Sequence, residues 1–323
     1  MPHKPKKRNL FFLWLTYVPI SWFYHLVRLM PLRAAYGFGN VIFFLAPFFD
    51  PWHRRRVIRH LLHTGVAKDI KEARQICRRL FFNFGRLLTD VFKTDQLLRA
   101  NSVDVAGDLK LARECGAFGE EGRKYRNIII ASAHYGNWEI GGTSWARLSD
   151  TPLVSVMRYF SNPFIGKLFL KYRQSADHRL IPKSGSLALA YRALRNGSSL
   201  AMLVDQHATT TEGVENVFFG QPCRTHASIA LLHLRSGVPI VVGVSRRIGR
   251  GFNFEFVVGC EIIHKPTGDL NADLKVVTQR ITSEFERLIL EQPDQWLWAH
   301  RRWLNIHRRP YKAAGIVRLE SDV

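Results

Sequence analysis

The sequence predicts an α/β protein, a mostly parallel sheet flanked by helices, behind an N-terminal membrane-associated helical segment. Three observations predict it. From about residue 127, short buried apolar runs alternate with stretches of helical period, as strands and crossover helices do in a parallel sheet. Up to about residue 100 the period is helical. Residues 10–27 carry no charged side chain, and Lys4, Lys6, Lys7 and Arg8 stand before them with Arg28 and Arg33 after.

Taken in order, residues 1–30 are expected to form an anchor helix. Their 18-residue apolar core is marginal for spanning, which takes roughly 20 residues. A cleaved signal peptide fits poorly, because Leu29-Met30-Pro31 follows and no Ala-x-Ala appears. A spanning helix and a helix lying in one leaflet both remain. Tyr17, Ser21, Tyr24, His25 and Arg28 recur at helical spacing, a polar stripe suited to headgroups or to the protein body. Cations on both flanks select no spanning topology and place the body on the cytosolic side; Trp14 and Trp22 suit the interface. Residues 41–49 add an apolar run too short to span. The competing reading makes both runs core helices of a soluble domain.

Residues 31–100 are expected to be helical and membrane-proximal. The clearest helix covers residues 70–92, with Ile76, Leu80, Phe84, Leu87 and Val91 on one face and Lys71, Arg74, Arg78, Arg79 and Arg86 on the others. An α/β domain over residues 101–310 and a tail over 311–323 complete the chain. Strands are expected at 127–133, 153–157, 179–181, 200–204 and 239–244, and an antiparallel one at 252–258. Helices are expected at 138–148, 163–174, 186–195, 228–235 and 273–290. Residues 206–224 read as a long loop, a candidate lid.

Composition bounds the function. The chain has 323 residues, a net charge of +21 and 46% hydrophobic residues, too apolar for a disordered polycation. Residues 1–100 hold 18 Lys+Arg against 5 Asp+Glu. Such a chain seeks nucleic acid, phospholipid, a phosphorylated substrate or an acidic partner. Cys77, Cys115, Cys223 and Cys260 form no Cys-x-x-Cys pair, so a zinc ribbon or disulfide framework is not expected.

In open α/β sheets chemistry sits beyond the carboxyl ends of the strands. The polar residues there are His134, Arg158, Asp205 and Arg246. The segment around His134 is the most informative. Gly136 permits a tight turn, Asn137 can cap the next helix, and Glu139 falls in its first turn. The His-x4-Glu spacing can return the carboxylate to the imidazole, fixing one nitrogen and freeing the other to take a proton from a hydroxyl. A structural His and a Glu favoured by the helix dipole explain the same residues. His-Glu-x-x-His is absent, so no metal is expected.

His134-Tyr-Gly-Asn-Trp-Glu139 resembles the His-x4-Asp/Glu motif of glycerolipid acyltransferases, and in this form the bacterial lipid A biosynthesis acyltransferases of the lauroyl/myristoyl type. Arg158 with Asn162-Pro163, Lys183-Ser-Gly185, Asp205-Gln206, Phe218-Phe219-Gly220 before Thr225, and Trp298-Ala-His300-Arg301-Arg302-Trp303 agree in order. Trp303-Leu304 stands where Trp-Lys is usual. The resemblance covers about residues 25–310. It implies a glycerolipid acyltransferase-like fold and transfer of a fatty acyl group from acyl carrier protein or acyl-CoA to a hydroxyl of a phosphorylated glycolipid. The implied location is the inner membrane, with the catalytic domain on the cytoplasmic side and no cofactor.

Under the resemblance His134 is the base and Glu139 its orienting carboxylate. Asn137, Arg158, Asp205, Gln206, Phe218 and Phe219 are candidate substrate-binding residues. Arg158 would serve an oxyanion or a phosphate, Asp205 the acceptor sugar or Arg158, and Phe218 and Phe219 the lipid path or the pinning of the loop. Alternatives are another acceptor, a phosphoinositol mannoside or lysophospholipid, and a non-enzymatic basic protein binding membrane or nucleic acid. Nucleic acid is not expected as a partner, since no RNA-binding aromatic motif or zinc-finger spacing appears.

Overall fold

A computed structural model describes residues 9–100, 103–116, 126–149, 151–158, 160–170 and 178–304. The tail, Lys4 to Arg8, and residues 171–174 of the expected helix 163–174 lie outside the described residues.

The N-terminal part is α1 (Leu10–Leu29), α2 (Leu32–Phe49), α3 (Pro51–His63) and α4 (Ile70–Ala100). There follow β1 (Asp104–Gly107), α5 (Leu109–Glu114), β2 (Ile129–Ser132), α6 (Trp138–Leu148), β3 (Leu153–Met157), α7 (Pro163–Leu170), β4 (His178–Pro182) and α8 (Ser186–Arg195). The chain continues through β5 (Ser199–Leu203), β6 (Gly213–Phe218), β7 (Gln221–His226), α9 (Ser228–Ser236), β8 (Ile240–Arg247), β9 (Phe254–Ile262) and α10 (Leu270–Glu291), with a final 3₁₀ turn at Pro293–Gln295.

Seven strands form one sheet in the order β1-β9-β8-β2-β5-β3-β4. β8, β2, β5, β3 and β4 run parallel, and β9 is antiparallel to β8, as its sequence suggests. The α/β class therefore holds. The short edge strand β1 and the arginine-rich α3 carry too little apolar period to be read from sequence.

Residues 206–224 are not one long loop. They contain the hairpin β6–β7, turned by Phe219 and Gly220, whose φ values are 51° and 67°. Two positive φ values make the tight hairpin turn that matches strand twist. Phe219 is strained there. It is held by its N–H donating to Glu286 Oε1 at 2.7 Å and by packing on Trp298 with centroids 5.5 Å apart.

α1 is long and apolar enough to cross a membrane by length and composition, with mean hydropathy 1.4 and 11% of its window buried. That burial is low for a core helix. The polar stripe turns partly toward the body: Tyr24 is buried, and Arg28 donates to Asp95 Oδ2 of α4 at 2.9 Å and to Phe92 O at 3.0 Å. Asn162 Nδ2 donates to Leu13 O at 2.7 Å, tying α1 to the start of α7. Leu10, Phe11, Phe12, Trp14, Leu15 and Trp22 face outward.

α2 crosses α4 at Gly39 and Gly85. A Cβ on Gly85 would lie 2.6 Å from Gly39 O, and one on Gly39 2.6 Å from Gly85 O. Gly85→Ala gains about 1 kcal/mol of helix propensity, but overpacking against backbone costs about 1–3 kcal/mol. A lowered Tm is the expected result; an unchanged or raised Tm would mean the crossing is looser than this geometry.

Candidate active site

The parallel pairing of β2 with β5 builds the site. Ser132 and Leu203 are register partners at the carboxyl ends of these strands. Two residues beyond each stand His134 and Asp205, and they meet. His134 Nδ1 lies 2.7 Å from Asp205 Oδ1, and the His134 backbone N–H donates to Asp205 Oδ2 at 2.9 Å. The Trp296 indole N–H donates to the same Oδ2 at 2.8 Å. Asp205 is 2% exposed. Burial by itself would raise its carboxyl; the His134 charge and these donors outweigh that and hold it below the usual range.

The same balance acts on His134. Burial pushes the imidazole down, but the charge and hydrogen bond of Asp205, helped by the charge of Glu139, raise it above its ordinary value. With Nδ1–H given to a carboxylate, the tautomer leaves a lone pair on Nε2. That nitrogen is 3.3 Å from the Gln206 side-chain amide nitrogen. It opens on a cavity of about 980 Å³ whose lining includes Trp138, Glu139, Arg158, Lys183 and Gln206.

The expected orienting carboxylate is thereby corrected. The group bonded to the imidazole is Asp205, not Glu139. Glu139 lines the cavity and accepts from the Trp138 indole N–H at 3.1 Å. Strand neighbourhood delivers Asp205 to Nδ1, whereas the helical turn carries Glu139 along the wall. Both Asp205 oxygens are engaged, Oδ1 by the His134 ring and Oδ2 by the His134 N–H and the Trp296 indole.

Asn137 is also corrected. It is fully buried and absent from the cavity wall. Its Oδ1 accepts from Ile140 N at 3.2 Å, capping α6, and its Nδ2 donates to Asp90 Oδ2 at 3.2 Å. Phe218 and Phe219, 0% and 8% exposed, do not line the cavity. They pack with Trp296, Trp298 and Trp303 in an aromatic core, Phe218 to Trp296 at 5.4 Å. Burying these large rings stabilises the hairpin. Arg158 is exposed on the cavity rim. Arg246 is taken up by Glu255 and Glu291.

Sequence reasoning missed the support around the turn. Asp90 of α4, fully buried, takes Arg247, the Tyr36 hydroxyl at 2.6 Å and Asn137; burial raises its carboxyl to about 6 against the pull of Arg247. The Gly136 N–H donates to Gln295 O at 3.0 Å, and Leu297 N–H to His134 O at 3.0 Å. Buried Arg302 donates to Gln206 O at 2.9 Å and Arg224 O at 2.8 Å, and lies 5.0 Å over Phe218. The run of Trp and Arg at 296–303 was the available signal; it is a clamp on the site. No group of three His, Cys, Asp or Glu that could hold a metal occurs among the described residues.

An imidazole with one nitrogen fixed by a buried carboxylate and the other facing a cavity at the strand ends is an arrangement that can take up and return a proton. The family model for bacterial lipid A biosynthesis acyltransferases matches residues 1–305, and the chain belongs to that family. Two relatives, from Mycobacterium tuberculosis strains CDC 1551 / Oshkosh and ATCC 25618 / H37Rv, carry the name phosphatidylinositol mannoside acyltransferase. Each is 24% identical over 180 residues, 54% of this chain and 54% of the relative. The match thus spans about half the length of these curated relatives.

Proposed function

We propose that this protein is a membrane-associated O-acyltransferase. It moves a fatty acyl group from a thioester, on acyl carrier protein or CoA, to a hydroxyl of a lipid A precursor or related phosphorylated glycolipid. The observation that carries the reading is the His134–Asp205 pair with Nε2 open to the cavity. The acceptor hydroxyl gives its proton to Nε2 while its oxygen attacks the thioester carbonyl carbon. The C–S bond then breaks, and the thiolate leaves with the proton returned by the imidazolium. Arg158 on the rim answers the developing oxyanion or an acceptor phosphate. Glu139 adds a second negative charge facing the imidazolium. A mannosylated phosphoinositol acceptor is the second reading, favoured by the names of the mycobacterial relatives.

The test is transfer by the full-length protein in lipid vesicles, with acyl thioesters and a phosphorylated glycolipid. Acyl mass on the glycolipid with matching release of thiol is expected. Thiol release without any acylated lipid would overturn the reading.

The exposed apolar face of α1 supports anchoring at a membrane; the location that goes with the proposed reaction is the inner membrane, with the body on the cytoplasmic side. Deleting residues 1–30 is expected to release a folded protein from membranes. Retention of that folded form on membranes in high salt would place the anchor elsewhere.

A further inference from the structure

Beneath α6 the cavity has an inner arm whose walls are unusual for a hydrocarbon. Strand register sets Ile130, Ala201, Ser155 and Leu180 in one row across β2, β5, β3 and β4, and all four line the cavity. Ala201 packs with Ile130, Trp145 and Phe256, so this row faces α6. Gly141, Gly142 and Trp145 cover it from the helix. The glycines keep the arm open. A Cβ on Gly142 would lie 3.2 Å from His178 Cε1 and 3.5 Å from Ser155 Oγ, and one on Gly141 3.2 Å from Ser245 Cβ.

Polar atoms stud this arm. Ser155 Oγ and His178 Nε2 are 2.8 Å apart. Ser245 Oγ and Trp145 Nε1 have no hydrogen-bond partner among the described residues, though Ser245 is 2% exposed and Trp145 1%. Both residues line the cavity. A buried donor left unmet is costly, and an alkyl chain meets none of these atoms. The indole N–H only donates, so the ligand must bring an acceptor. A hydroxyl does so, and it can donate to a serine oxygen as well.

We infer that the acyl chain this arm receives carries a hydroxyl, so that the preferred donor is a hydroxyacyl thioester. This rests on the acyltransferase reading above. The ligand's oxygen supplies the partner that Trp145 Nε1 and Ser245 Oγ lack, while the Ile130, Ala201 and Leu180 surfaces hold the methylenes. A site built to hydrogen-bond a hydroxyl discriminates strongly against the analogue lacking it, because its own buried groups are then left unpaired.

The experiment compares kcat/KM of the full-length protein for unsubstituted acyl thioesters and for equal-length donors with the hydroxyl at successive positions. One hydroxyacyl donor is expected to exceed its unsubstituted counterpart by about 10-fold or more. In the double variant Ser245→Ala, Trp145→Phe that ratio should fall toward one with the unsubstituted donor still used. Equal or better use of unsubstituted donors by the wild type overturns the inference and leaves acyl transfer standing. So does an unchanged ratio in a folded double variant, or a change confined to the KM of the glycolipid, which would give the arm to the acceptor. If the variant does not fold, the wild-type comparison decides alone. Transfer from no donor at all would sink the acyltransferase reading itself, and this inference with it.

Discussion

His134→Ala is expected to slow acyl transfer by ~10²–10⁴ without unfolding the protein, the range for losing a positioned general base. The fold should survive because the backbone N–H of residue 134 and the Trp296 indole still satisfy Asp205 Oδ2. The imidazole side chain is 18% exposed and its loss opens toward the existing cavity. In the wild type the base must be neutral to accept a proton. Since the Asp205 charge and hydrogen bond overcome burial and raise the imidazole, the rate should climb with pH through a midpoint above the ordinary histidine value of about 6.5. Activity within a few-fold of wild type, or an acid limb below that value, would remove His134 as the base.

Asp205→Asn is the second large effect, expected at ~10²–10⁴, and its cause is a tautomer. Two donors, His134 N–H and the Trp296 indole, converge on one oxygen of residue 205. The amide oxygen of Asn will take that place, which turns its NH₂ toward His134 Nδ1. Nδ1 must then accept, the ring proton moves to Nε2, and the nitrogen facing the cavity can no longer take a proton. With the raising charge gone, burial dominates and the acid limb should shift to lower pH. Glu139→Gln should cost less, within about 10-fold, because Glu139 acts on the imidazole through charge alone. Measured pH–rate profiles of the two variants settle which carboxylate orients the base. Equal losses with equal limb shifts would restore Glu139 to that role.

The α/β class was legible because buried strands and crossover helices differ in period. The order of the strands was not. His134 and Asp205 were both visible as polar residues beyond strand ends, but their pairing depends on β2 lying beside β5, which no local pattern encodes. Glu139 drew attention through closeness in sequence, and closeness in space went to a residue 71 positions away. The capping role of Asn137 followed from its chemistry before a helix and is seen; its burial against Asp90 is a tertiary fact. The hairpin holding Phe218 was hidden because Glu215, Asn216 and Pro222 spoil its alternation, while the Trp residues that bury it come about 80 positions later. On α1 the polar stripe could be read, but not its partners Asp95 and Phe92 on α4.

The most direct test of the central claim is mass spectrometry of membrane lipids from cells lacking the gene, complemented with wild type or with His134→Ala. One glycolipid is expected to gain the mass of an acyl group with wild type and not with the variant, at equal protein levels in the membrane fraction. A lipid profile that wild type leaves unchanged, or that His134→Ala restores in full, would contradict it.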